Sequence, residues 1–326
     1  MRVLYGIQMN GNGHITRSTQ IISSLKERGI DVDIITSGEN SHIDIPFNIT
    51  RHFRGVSMYY DDKGRVNWMK TIKKIDFTRF IMDIIYDSKE YDLVISDFEP
   101  ISSWSANINN VKSIGFGNQY SFLSDNLPRP SKRDKISESF IKKFAKCKYN
   151  IGLAYDSYDD FIFKPVIDQS LITGQDINDD FYLIYLPSLP LKEIMTHLEK
   201  FKDYRWKIYS PQVLVDEKIG RIELNVLDRN KFRNDLISCQ GIITASGFST
   251  TSESLIINKK LWSIPIKGQY EQICNAIALK KMGVFTSEFN RESINEWIRE
   301  YDKINYQWNN PIEDIIKKIM YIHGEG

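Results

Sequence analysis

Two stretches of the chain alternate short apolar runs with longer runs whose apolar positions recur every three or four residues. Val3-Leu4-Tyr5-Gly6-Ile7 reads as a buried strand, and a glycine-bearing loop from Asn10 to His14 follows it. Ile21, Ile22 and Leu25 share one face of a helix predicted over 16–28; Gly29 ends it, and Val32-Asp33-Ile34-Ile35 is the next strand. Strand, loop, helix, glycine, strand is the order of a βαβ unit, whose strands lie parallel. Residues 92–96 and 113–116 extend the same sheet, and 140–147 reads as the end of a helix.

The second half repeats this logic. Residues 181–186, 206–209, 241–244 and 261–264 read as strands, and 191–201, 231–238 and 271–282 as helices, the last ended by Gly283. The strand at 241–244 enters the loop Ala245-Ser246-Gly247-Phe248-Ser249-Thr250 and then a helix through Ile257. Between the halves, 156–180 holds Pro165, Gly174 and many aspartates without periodicity, which marks a domain junction. The expected organisation is an α/β chain of two doubly wound parallel-sheet domains, 1–165 and 175–326. Such halves place a ligand crevice at the carboxyl ends of their strands, between the domains. A last helix at 312–322 stands where it can pack back across the junction.

Composition narrows the picture. The chain has 326 residues, enough for two domains, and its 41% hydrophobic and 26% charged residues are those of a globular protein. A net charge of +1 gives no overall pull towards nucleic acid or acidic membranes. Cys147, Cys239 and Cys274 are far apart and show no CxxC spacing, which points away from disulfides and zinc and towards a reducing interior. The start reads as a strand rather than a signal peptide, and no run approaches the ~18 apolar residues of a spanning helix. The expected location is cytoplasmic.

Three motifs carry chemistry. Gly11-Asn12-Gly13-His14 opens the first helix, where glycines allow close backbone approach and unpaired N–H groups attract an anion. His14 at this lip points to the crevice and suits a general base. Asp97 follows the strand at 92–96 and can bind the far nitrogen of His14; Glu99 competes for that role. Ser246-Gly247-Phe248-Ser249-Thr250 sets hydroxyls and backbone N–H groups at a strand-to-helix turn able to cradle a diphosphate, with Glu253 one turn on for a ribose. Gln269, Glu271 and Gln272 open another helix and can grade the hydroxyl pattern of a sugar. The same residue types also serve as ordinary helix caps.

The order of these blocks resembles the nucleotide-sugar signature of the MurG and UDP-glucuronosyltransferase superfamily of GT-B glycosyltransferases. It is most similar to a family of archaeal and bacterial glycosyltransferases, on Gly11 to Ser18, Val94-Ile95-Ser96-Asp97-Phe98-Glu99-Pro100, Gly247 to Leu255 and Ile264 to Ala276. The resemblance implies a GT-B fold and transfer from a nucleotide-sugar, UDP-linked, to an acceptor hydroxyl, with inversion and without metal or bound cofactor. It implies His14 as base with Asp97 as its partner. It places Gly247, Ser249 and Thr250 in the diphosphate loop, Glu253 on the ribose, and Glu271 and Gln272 on the donor sugar. Gly13, Ser246, Phe248 and Gln269 are expected on the same donor side, and Arg17, Glu99, Asn118 and Gln119 on the acceptor side. Ala245 stands where plant relatives carry a histidine against the diphosphate. The aspartates at 156, 159 and 160 read as solvated loop charge rather than metal ligands.

The acceptor is open at this level. One basic and aromatic stretch holds Arg51, His52, Phe53, Arg54, Tyr59, Tyr60, Arg65, Trp68, Lys70, Lys73 and Lys74, and a second spans 129–148. These suit a glycan or lipid-linked sugar, peripheral contact with an anionic membrane on its inner face, or DNA bearing hydroxymethylated bases. A nucleotide-sugar 2-epimerase or a non-catalytic binding module is the alternative from another class. An epimerase needs further acid–base groups, and the five histidines (His14, His42, His52, His197, His323) are few for it.

Overall fold

The computed structural model describes residues 1–38, 45–57, 59, 73–74, 76–172 and 179–324. Two sheets form the frame. The first has the order β3-β2-β1-β4-β5-β6-β7, with β1 at Arg2–Gln8, β2 at Asp31–Ser37, β3 at Arg51–Phe53, β4 at Leu93–Asp97, β5 at Ser113–Gly117, β6 at Tyr149–Leu153 and β7 at Ile162–Phe163. All its pairings are parallel, from Gly6 opposite Ile35 on one side to Ile7 opposite Asp97 on the other. Its strands are near-continuous in Val, Ile and Leu because helices cover both faces.

Chain order reverses between β1 and β4. The carboxyl ends of these two strands therefore open a crevice, and they carry the loop into His14 and Asp97. Helix α1, Asn12–Glu27, starts four residues earlier than its apolar face predicts, because Gly11 at φ 116° turns the chain directly into it. His14 thus sits in the first helical turn. Helix α2 spans Phe77–Ile84 and α3 spans Pro100–Asn109; a 3₁₀ turn at Asn118–Leu123 follows β5, and α4 spans Lys135–Phe144.

The second sheet has the order β10-β11-β9-β8-β12-β13, with β8 at Tyr182–Tyr185, β9 at Trp206–Tyr209, β10 at Glu217–Ile219, β11 at Ile222–Asn225, β12 at Gly241–Ala245 and β13 at Lys260–Ile264. Only β10 and β11 are antiparallel, joined through Gly220 at φ 60°. Its helices are α5 (Leu191–Leu198), α6 (Arg229–Ser238), α7 (Phe248–Ile256), α8 (Tyr270–Lys281) and α9 (Arg291–Glu300). Trp206, Trp262 and Trp297 fill the core on one side of this sheet. The reversal here falls between β8 and β12, so the β12–α7 loop faces the crevice from the opposite side.

One apolar cluster runs through both halves. It contains Ile15 and Phe116 from the first, Leu183 and Phe248 from the second, and Ile315, Ile316, Ile319 and Ile322 of a last helix, α10 (Ile312–Gly324). This helix lies on the first half: Arg28 Nη2 holds Glu313 Oε2 at 2.7 Å, and Lys112 Nζ donates to His323 O at 2.9 Å. No helix among the described residues is long and apolar enough to cross a membrane.

Candidate active site

His14 and Asp97 meet at the bottom of the crevice, with His14 Nδ1 2.7 Å from Asp97 Oδ1. Asp97 is fully buried and gathers further donors: Arg17 Nε at 2.8 Å, Ser18 Oγ at 2.8 Å, and Arg17 Nη2 on Oδ1. Burial pushes the Asp97 carboxyl up, but the Arg17 charge and His14 outweigh it and hold the group below the ordinary carboxylate range. An ionised carboxylate accepts only, so a proton on His14 Nδ1 is directed at Asp97; Arg17 Nη2, also a donor, stands 2.7 Å from the same ring nitrogen, and the tautomer decides which of the two contacts is a hydrogen bond. Phe98, the residue after Asp97, has φ 51°; a bulky side chain in the left-handed region marks strain held by its surroundings, here Tyr120 and Phe144.

A cavity of about 230 Å³ opens over His14. The first half contributes Gln8, Asn10, Gly11, Gly13, His14, Arg17, Phe98, Gln119 and Phe144, and the second Gly247, Phe248, Ser249, Gln269, Glu271 and Gln272. Gly247 is the N-cap of α7, so unpaired N–H groups at that helix start face the cavity. Gln272 accepts from Ile266 N at 3.1 Å and donates to Gln269 Oε1 at 2.8 Å, which ties the loop before α8 together. Gln119 Nε2 donates to Glu271 Oε2 at 3.2 Å across the cleft. Burial raises the Glu271 pKa, and Gln119, His14 and Arg17 pull against that.

Glu253 lies outside this cavity, one turn along α7, near Arg229, Arg233 and Asp168. Its carboxyl is pushed up to about 7 by burial, with the two arginines opposing and Asp168 reinforcing. Arg229 reaches over to Thr16 Oγ1 of α1 at 3.1 Å.

Several expected residues are placed differently. Glu99 is not on the acceptor side: it is fully buried and caps α3, accepting from Ile101 N and Ser102 N and from Ser37 Oγ at 2.6 Å. Its competition with Asp97 for His14 is thereby resolved. The Ser246 side chain is fully buried against Ser263 Oγ at 2.7 Å, and Asn118 is buried with Nδ2 on Leu153 O, so neither side chain faces the cavity. Arg17 belongs to the His14–Asp97 cluster more than to an acceptor surface. Thr250 and Glu253 stand along α7 beyond the cavity lining. Sequence reasoning missed Ser18, although its place one turn after His14 on the same helix face was readable.

The basic stretch at 129–148 is partly spent internally. Arg129 Nε pairs with Glu138 Oε1 at 2.8 Å, and its side chain is 3% exposed. Tyr270 OH of α8 donates to the same oxygen at 2.6 Å, joining the two halves. In the other stretch Tyr60, Arg65, Trp68 and Lys70 lie outside the described residues, as do His42 and Gly174. Among the described residues no three His, Cys, Asp or Glu side chains converge as metal ligands.

The sequence matches Glycosyl transferase family 1 over residues 1–301. The chain belongs to this family. The glycosyltransferase has no match among curated proteins. Its two-domain GT-B architecture recurs in solved structures of low identity. The spinosyn forosaminyltransferase SpnP is 11% identical with a TM-score of 0.62, covering 100% of both chains. SnogD from Streptomyces nogalater is 13% identical with a TM-score of 0.55, covering 100% of this chain and 95% of its own. Phytolacca americana UGT2, solved with UDP-2-fluoro-glucose and pterostilbene, is 11% identical with a TM-score of 0.60, covering 99% and 93%.

Proposed function

We propose that this glycosyltransferase moves a sugar from a UDP-linked donor to an acceptor hydroxyl by a single inverting displacement, with His14 as general base. The carrying observation is the 2.7 Å contact of His14 with Asp97, at the floor of a cavity whose opposite wall is Ser249, Glu271 and Gln272. His14 Nε2 takes the acceptor proton as the acceptor oxygen bonds to the anomeric carbon. The bond from that carbon to the diphosphate oxygen breaks, and the nucleoside diphosphate leaves with the electron pair. The imidazolium so formed is stabilised by Asp97. The start of α7, with Ser249 and Thr250, receives the growing phosphate charge. Glu253 suits the ribose hydroxyls, and Glu271 and Gln272 suit those of the sugar.

UGT2 was solved with a UDP-sugar analogue, which supports a UDP-linked donor here by similarity of fold. On the acceptor side Phe98 and Phe144 line the cavity together with His14. Aromatic faces of this kind stack on the apolar faces of sugar rings, which supports a glycan, glycolipid or polysaccharide acceptor. The test is product analysis by mass spectrometry after incubation with UDP-sugars and glycan, lipid-linked and hydroxymethylated-DNA acceptors. A sugar adduct on the first two classes is expected. An adduct on DNA alone would overturn the acceptor assignment, and C2 epimerisation without transfer would overturn the reaction.

A further inference from the structure

Gln119 lies on the first-half wall, in the 3₁₀ turn after β5, yet its nearest cross-cleft partner is a donor-side residue. Its Nε2 stands 3.2 Å from Glu271 Oε2, and its Oε1 stands 3.3 Å from Arg17 Nη2. The direction of this amide is forced. A guanidinium offers donors only, so the carbonyl oxygen must face Arg17 and the NH₂ group must face Glu271. Arg17 is itself fixed, since its Nε and Nη2 are held by the buried Asp97. The chain Asp97–Arg17–Gln119–Glu271 therefore runs unbroken from the base cluster to the donor side. Glu271 is fixed from its own side too, because the preceding residue, Tyr270, is anchored by its hydroxyl to Glu138 of α4 at 2.6 Å.

We infer that Gln119 is a positioning residue for the donor sugar: it aims the Glu271 carboxylate, so that donor selection is shared by both walls of the cleft. This rests on the proposed donor site. Glu271 Oε2 is taken by Gln119, and the other oxygen, which has no hydrogen bond among the described residues, would accept from a sugar hydroxyl. Without Gln119 the carboxylate is free to rotate, and the titratable and charged groups facing it are His14 and Arg17 of α1. The sugar then loses an oriented acceptor, while the nucleotide, bound further along α7, is unaffected.

The experiment is calorimetric titration of wild type, Gln119→Leu and Gln119→Glu with UDP, UDP-glucose, UDP-galactose and UDP-N-acetylglucosamine. A hydrogen bond to a charged group sets the scale. For the best-bound UDP-sugar, both variants are expected to raise Kd on the order of tenfold, with UDP itself within about twofold of wild type. Gln119→Glu keeps the size and the Arg17 contact but turns a carboxylate towards Glu271, so it decides the matter if the leucine variant folds poorly. Equal losses for UDP and UDP-sugar, or no loss for either, would overturn the inference and leave the donor site standing. Wild type that binds none of these ligands would overturn both.

Discussion

Gly13 of α1 and Ser249 of α7 touch across the cleft, so closely that a methyl group on Gly13 would overlap Ser249 Oγ. The two helix starts meant to serve acceptor and donor are in contact only because one of them carries no side chain. Gly13→Ala must displace Ser249 or part the two halves. The expected result is weaker UDP binding and turnover lowered by at least about tenfold, with only a small change in Tm. Adding Ser249→Ala removes the overlapping oxygen, and the double variant should recover part of the loss. Additive losses in that cycle would show that the contact does not matter.

The buried Arg17–Asp97 pair predicts a pH-dependent stability. Asp97 titrates below its unfolded value, so its contribution is complete above the ordinary carboxylate range near ~3.9 and is lost as pH falls through the lower folded value. Arg17→Met leaves the carboxylate buried without its cation, a change that costs about 3–5 kcal/mol at pH 7. Urea unfolding should show this deficit shrinking towards pH 4, as acid neutralises Asp97 in the variant. A deficit that does not change with pH would contradict the assignment.

Gly117 supports the same cluster. It sits at φ 126°, and a Cβ there would stand 2.6 Å from Arg17 Nη2. Gly117→Ala should destabilise the fold by about 1–3 kcal/mol and slow turnover, because strain and displacement of the guanidinium act together. Thermal unfolding and UDP release from a UDP-sugar check the two effects separately.

Glu253 behaves in the opposite sense to Asp97. Its folded pKa of about 7 lies above the unfolded carboxyl value, so it favours folding at low pH and that contribution fades as pH rises through 7. Glu253→Gln should therefore stabilise the free protein at pH 8, by an upper bound on the order of 3 kcal/mol, while weakening UDP binding. In wild type, UDP affinity should rise with pH through 7 as the carboxylate forms to accept from the ribose; a flat profile would remove Glu253 from that role.

The frame was legible because short continuous apolar runs and period-3.6 apolar patterns, with Gly29 and Gly283 as stops, separate buried strands from helices without any knowledge of packing. The β10–β11 hairpin escaped because its first strand, Glu217–Ile219, is exposed along its length and carries no apolar pattern; Gly220 was the one available signal. His14 and Asp97 were readable from their places at strand ends. Glu99 and Ser246 were misplaced for a common reason: internal hydrogen bonds, a cap on α3 for Glu99 and the Ser263 hydroxyl for Ser246, use the same polar side chains as ligand binding, and only burial tells them apart. The role of Gln119 depends on a contact 152 residues away in sequence, which no local pattern encodes.

Everything in the transfer step turns on His14 acting as the base. The direct measurement is UDP release from the best-bound UDP-sugar by wild type and His14→Ala, with water or the identified acceptor as the attacking hydroxyl. Turnover lower by about 10²–10⁴-fold with UDP-sugar affinity unchanged is the expected result. Turnover equal to wild type at saturating donor would contradict it.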